Sequence, residues 1–260
     1  MKNVIKKIIL CMFAMCIFLY AAQTSSYAET STGSNASEQP AIDNSKNRCV
    51  IILSDSRAGS IVIDLKNDPT WEKWYAGGKL PASDAVFKKG NTIVVLCTQS
   101  GGRISDGTFL ECVDRMYAVM SNHPFLEGCK SYTLFNMFGI NDCVFESNHE
   151  KYPPMYVFYD QKIYENLGYV NKVYQLNCGP IDANGSLNKV MPGINSGVNA
   201  YNKYYKKDGD VRILDLYSYM KKNGYTSDGV IDDANNNMPS GLHYDTGTNM
   251  KILNFILSKI

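Results

Sequence analysis

Ser56 lies in the stretch Ser54-Asp55-Ser56-Arg57-Ala58-Gly59-Ser60, directly after the apolar run Val50-Ile51-Ile52-Leu53. A serine hydroxyl becomes a nucleophile only when a base removes its proton, and histidine suits that task near neutral pH. The chain has three histidines. His123 precedes Pro124 in a connecting segment and His149 lies in a polar stretch, so His243, in Gly241-Leu242-His243, is the candidate base. Attack on an ester carbonyl develops an oxyanion that needs preorganised donors. Gly101-Gly102 and Asn141 follow other apolar runs and could supply them. Each residue also has a plainer reading. Taken alone, Ser54-Asp55-Ser56 reads first as a turn and helix cap, Gly101-Gly102 also reads as a loop, and Asn141-Asp142 as a turn pair. His243 could be a loop histidine bonded to backbone.

These residues are useful together only if the chain places them at one end of one sheet. Cys49–Leu53, Thr92–Cys97, Tyr132–Met137, Val173–Leu176 and Val211–Leu214 are short and rich in β-branched residues, which predicts buried parallel strands. Between them the spacing predicts helices at Ala58–Leu65, Phe109–Met120 and Tyr159–Leu167, and from Ile194 to Tyr205. Further helices are predicted at Asp215–Asn223 and Thr248–Ile260. Pro69–Gly90, with Trp71, Trp74, Gly77-Gly78 and Pro81, reads as irregular with one short helix. Strands alternating with helices imply a single α/β domain with a mainly parallel sheet. The candidate residues then fall just past strand ends or near the C-terminus, where open α/β sheets bind ligands.

The four blocks, in this order and across residues 48–260, resemble the SGNH, or GDSL-type, hydrolases, a family of esterases and lipases. Ser54-Asp55-Ser56-Arg57 resembles the family's Gly-Asp-Ser-Leu block, and Gly139-Ile140-Asn141-Asp142 reproduces its Gly-x-Asn-Asp block. Ser100-Gly101-Gly102-Arg103 resembles the block that supplies a glycine amide, with Gly102 the better match because Arg103 follows it and Gly101 the fallback. The resemblance implies a flavodoxin-like three-layer α/β/α sandwich with about five strands in its sheet. It makes Ser56 the nucleophile and His243 the base. The Ser56 and Gly102 amides and the Asn141 side chain become the oxyanion donors, with Arg57, Gly101 and Arg103 at the substrate. The family's histidine block normally reads Asp-x-x-His, whereas Ser240 stands three positions before His243. In the serine proteases, spoiling that carboxylate costs about 10⁴-fold. His243 would then act as a dyad base, held by a backbone carbonyl or Ser240, or a different carboxylate (Asp245, Asp233 or Asp232) would reach it. The remaining alternative is a protein that binds without hydrolysis.

Lys2, Lys6 and Lys7 precede an apolar run from Ile8 to Ala22, and Ser26-Tyr27-Ala28 has a small-x-small form. This pattern predicts a secretory signal peptide over residues 1–28, cut after Ala28. The run is short for an uncleaved span, and Phe13-Ala14-Met15 is a poor lipobox before Cys16. Residues 29–47 are polar and aperiodic and read as a disordered linker. Removing residues 1–28 takes three lysines and no acids from a chain with 26 basic and 25 acidic residues, leaving a formal charge of −2. Such a balance argues against nucleic acid or an anionic membrane surface as partner. Six cysteines would remain: Cys49, Cys97, Cys112, Cys129, Cys143 and Cys178. Disulfides are permitted but their pairing is open. No CxxC pair or Cys/His cluster suggests a metal, and Gly101-Gly102 is too short for a dinucleotide fingerprint. The expectation is therefore a cofactor-free secreted esterase acting on a small acyl group, acetyl foremost, of a carbohydrate or cell-envelope glycan. The 18 tyrosines offer rings that could stack on sugars, although ordinary packing explains them as well. A lipase or lysophospholipase and a non-catalytic glycan-binding module are the alternatives.

Overall fold

The computed structural model describes residues 43–78, 82–181, 191–225 and 241–260, with the backbone alone at 232–233 and 236–237. The predicted signal peptide over residues 1–28 and the predicted linker residues 29–42 lie outside the described residues. Residues 43–47, expected to be linker, are already part of the fold. Asn44 is buried, and its side-chain amide donates to the Phe125 and Glu127 carbonyls at 2.7 and 2.8 Å.

Five strands run parallel: β1 (Arg48–Ser54), β4 (Thr92–Gln99), β5 (Ser131–Asn136), β6 (Lys172–Leu176) and β7 (Val211–Leu214). They are the five read from sequence. Two more strands extend the sheet, so that its order is β2-β3-β4-β1-β5-β6-β7. β2 (Glu72–Gly77) and β3 (Ala82–Lys89) are antiparallel and occupy the segment expected to be irregular. Lys89 pairs with Thr92 across the two-residue loop Gly90-Asn91, with Gly90 at φ +56°. A Gly-Asn pair between two strand-like runs is a hairpin signal that the neighbouring lysines obscure.

Side-chain alternation sorts the strand residues into two cores. Cys49, Ile51 and Leu53 of β1 face one side with Ile93, Val95 and Leu134, beneath α2 (Thr108–Asn122), α4 (Tyr152–Leu167) and α5 (Ile194–Asn202). Val50 and Ile52 face the other with Val94, Leu96 and Phe135. That side is covered by α1 (Ser56–Asn67), α6 (Leu216–Asn223) and α7 (Thr246–Leu257). Burial on both faces is why these strands read as unbroken apolar runs. Ile252, Leu253 and Ile256 of α7 are all at most 1% exposed, and burying such a side chain is worth about 1.5–3 kcal/mol. The result is helices on both faces of a seven-stranded, mostly parallel sheet.

A short helix, α3 (Ile140–Phe145), stands where the sequence suggested a turn. The chain also makes a two-stranded antiparallel pair, β8 (Asp232–Asp233) with β9 (Asn236–Asn237). No helix among the described residues is long and apolar enough to cross a membrane. From β1 the chain first builds β4 on one side and then β5 on the other, so the strand order reverses at β1. Such a reversal opens a crevice beyond the carboxyl ends of the strands. Ser56 stands at that point.

Candidate active site

β1 ends at Ser54, and Asp55 caps α1 by accepting the Arg57 amide at 3.0 Å. The cap reading of this stretch therefore belongs to Asp55, and Ser56 is left as the first helical residue with its hydroxyl free for another partner. That partner is His243. Its Nε2 lies 2.7 Å from Ser56 Oγ. The Ser56 amide is one of the first-turn N–H groups that have no intrahelical acceptor, and the helix dipole makes this end attractive to negative charge.

The histidine is fixed through its neighbours. Leu242, one residue before it, has its carbonyl held by Arg57 Nε at 3.0 Å. Tyr244, one residue after it, donates its hydroxyl to the Pro180 carbonyl at 2.6 Å, and its own carbonyl accepts Asn249 Nδ2 at 3.1 Å. Asn249 Nδ2 also reaches Asp64 of α1 at 2.8 Å, and Thr246 Oγ1 meets the same carboxylate at 2.7 Å. The helix that carries the serine and the helix that follows the histidine are thus joined by Asp64.

His243 is 4% exposed, and its Nδ1 is buried with no hydrogen-bond partner among the described residues. Burial first, and the nearby Arg57 charge second, lower its pKa to about 4. Of the carboxylates considered for Nδ1, Asp245 instead caps α7, accepting the Thr248 amide at 2.7 Å. Ser240 and the side chains of Asp232 and Asp233 lie outside the described residues. Burial raises the Asp55 pKa to about 6 against the opposing pull of Arg57.

Asn141 and Asp142, in the first turn of α3, grip the loop after β4. Asn141 Nδ2 donates to the Gly102 carbonyl at 3.2 Å. That leaves its second N–H, since an amide carries two. Asp142 is fully buried and accepts the Ile104 and Ser105 amides, each at 3.1 Å, together with the Tyr156 hydroxyl. The Gly102 amide, expected to face an oxyanion, donates to the Gln99 carbonyl at 2.9 Å and closes a turn. A Cβ at Gly102 would stand 2.5 Å from Phe138 Cε1 and 2.8 Å from Gln99 O, so close packing alone demands glycine. Gly101 is exposed, with φ +69°.

The two arginines expected at the substrate are engaged within the protein. Arg57 is 4% exposed, bonded to Leu242 and, at 3.3 Å, to the Gly179 carbonyl, with its guanidinium carbon 4.9 Å from the Tyr244 ring centre. It is a strut beneath the site, and nothing in the sequence distinguished that from a surface role. Arg103 pairs with Asp106 at 2.7 Å and Glu146 at 3.3 Å on the partly exposed rim. His123 packs against Tyr75 and Phe125, and His149 against Tyr201. Among the described residues no group of three or more His, Cys, Asp or Glu side chains converges as a metal site would.

The arrangement unites a hydroxyl, a neutral imidazole, a helix N-terminus and an amide side chain at the carboxyl edge of one sheet. Those are the parts needed to add a hydroxyl to a carbonyl and hold the resulting charge. Neither a family model nor a curated protein matches the sequence. A solved structure provisionally named a platelet activating factor, from Streptococcus pneumonia, is similar with a TM-score of 0.48 and 12% identity, over 82% of this chain and 84% of that one.

Proposed function

We propose that the protein is a serine esterase of the SGNH type, exported by its N-terminal segment, which releases a small acyl group from a carbohydrate or cell-envelope glycan. The observation that carries this reading is the 2.7 Å contact between His243 Nε2 and Ser56 Oγ, formed by residues 187 positions apart. His243 takes the Ser56 proton as the oxygen attacks, and returns it to the departing alcohol. The acyl-serine is then hydrolysed by water with the same base. The Ser56 amide and the Asn141 amide group stabilise the oxyanion. Acetyl and glycan preferences rest on the export pattern, the Gly102-Arg103 resemblance and the tyrosine content.

A binding module without turnover is the second reading, favoured by the histidine whose Nδ1 has no described acceptor. Hydrolysis of p-nitrophenyl acetate by purified protein separates the two. Wild type should exceed Ser56→Ala by about 10³-fold or more. Equal rates would sink the esterase, and glycan retention by both proteins would then establish the module. Repeating the assay with longer acyl chains decides between acetyl release and a lipase.

A further inference from the structure

The six described cysteines are free thiols, and Cys129 is the one among them that is partly exposed. Cys49, at the start of β1, is 1% exposed. The two thiols interact although 80 positions separate them, and the Cys129 S–H donates to the Leu126 carbonyl at 3.6 Å. The backbone that carries them is fixed at several points. Lys130 N donates to the Asn47 carbonyl at 2.8 Å, and Asn44 grips the Phe125 and Glu127 carbonyls. The Cys129 amide bonds to the Tyr132 hydroxyl at 3.1 Å, and Tyr132 stands beside Cys49 in the register of β1 with β5. The pair lies at the amino ends of the parallel strands, remote from Ser56.

We propose that Cys49 and Cys129 are a reactive thiol pair that closes to a disulfide by exchange with a low-molecular-weight disulfide. Cys129 is the attacking thiol and Cys49 the resolving one. The neighbouring Cys49 thiol holds Cys129 below the usual thiol range, while the same interaction and burial push Cys49 up. A partly exposed thiol of lowered pKa beside a buried second thiol is the arrangement that thiol–disulfide exchange selects. The Cys129 thiolate attacks one sulfur of the disulfide, forming a mixed disulfide and expelling a small thiolate. Cys49 then attacks the Cys129 sulfur, gives up its proton, and expels the second small thiol. Two protein thiols lose two electrons and the small disulfide gains them. The cross-link closes a loop of about 80 residues and fastens the first strand to the turn before β5. Closing a loop of that size by an unstrained bridge is substantially stabilising.

The test is incubation of the purified full chain with oxidised glutathione, alkylation, and unreduced peptide mapping by mass spectrometry. A Cys49–Cys129 peptide is expected, with a rise in Tm of about 10 °C that dithiothreitol reverses. Cys129→Ala should lose both the link and the shift, and Cys49→Ala should retain glutathione on Cys129. Two unlinked thiols in the oxidised wild type, or a lasting glutathione adduct on its Cys129, would overturn the proposal. The outcome is independent of whether Ser56 is a nucleophile.

Discussion

Arg57 Nε donates to the Leu242 carbonyl at 3.0 Å, so the residue after the candidate nucleophile holds the residue before the candidate base. One guanidinium therefore sets the spacing of Ser56 and His243 and also presents a positive charge to the imidazole. A triad carboxylate would stabilise the imidazolium, whereas Arg57 opposes it.

The first consequence is a low acid limb. With a pKa near 4, set by burial and then by Arg57, His243 stays neutral well below pH 6. The pH profile of kcat/KM on p-nitrophenyl acetate should fall near pH 4 rather than near the ordinary histidine value of about 6.5. Arg57→Gln removes the charge and should move the limb upward. A wild-type limb at 6.5 would refute this electrostatic picture. Stability follows the same sign, because the unfolded chain takes up the histidine proton first. The contribution of His243 is complete above about pH 6.5 and is lost as pH falls toward 4.

Adjacent residues in α3 should separate chemistry from folding. Asn141→Ala removes a donor and should lower kcat by about 10²–10³, with a stability cost of about 1 kcal/mol. Asp142→Ala removes a buried carboxylate that accepts the Ile104 and Ser105 amides and the Tyr156 hydroxyl, and should cost about 2–4 kcal/mol in urea unfolding. The reverse ranking would show that Asn141 is structural.

Asp160 offers a test away from the site. It is fully buried in α4, bonded at 2.7 Å to Asn136 Nδ2, and burial pushes its pKa well above the usual carboxylate range. Its folded pKa exceeds its unfolded one, so its contribution is complete below about pH 3.8 and is lost as pH rises. Asp160→Asn should therefore be more stable than wild type at pH 7, by roughly 1–3 kcal/mol, and should lose that advantage near pH 3.5. Denaturant midpoints at the two pH values measure the difference. Equal stability at pH 7 would show that the carboxyl is not held neutral.

The five parallel strands were legible because burial on both faces turns each into an apolar run, Val50-Ile51-Ile52-Leu53 being the clearest. β3 was not, since Asp84 is buried against Arg115 within it and Lys88-Lys89 close it. α3 spans six residues and is too short to show a helical period. In the site, Ser56, Asn141 and His243 were readable as residue types that share a chemistry. Arg57 with Leu242 and Asp64 with Asn249 were not, because a hydrogen bond between distant polar residues leaves no periodic trace. The Gly102 amide was expected to face an oxyanion and instead donates to the Gln99 carbonyl three residues back, a local turn that a Gly-Gly pair does not distinguish from an open loop.

The hairpin of β2 and β3 has a bearing on how the molecule behaves in company. β2 forms one margin of the sheet, and its register slips between Lys73 and Tyr75. Glu72 and Lys73 are exposed along it, and Lys88 Nζ sits 4.8 Å over the Trp74 ring. An irregular, charged margin is a poor template for another chain's strand. The opposite margin, β7, is four residues long. The sheet therefore finishes itself on both sides, and strand-to-strand polymerisation is discouraged at high local concentration.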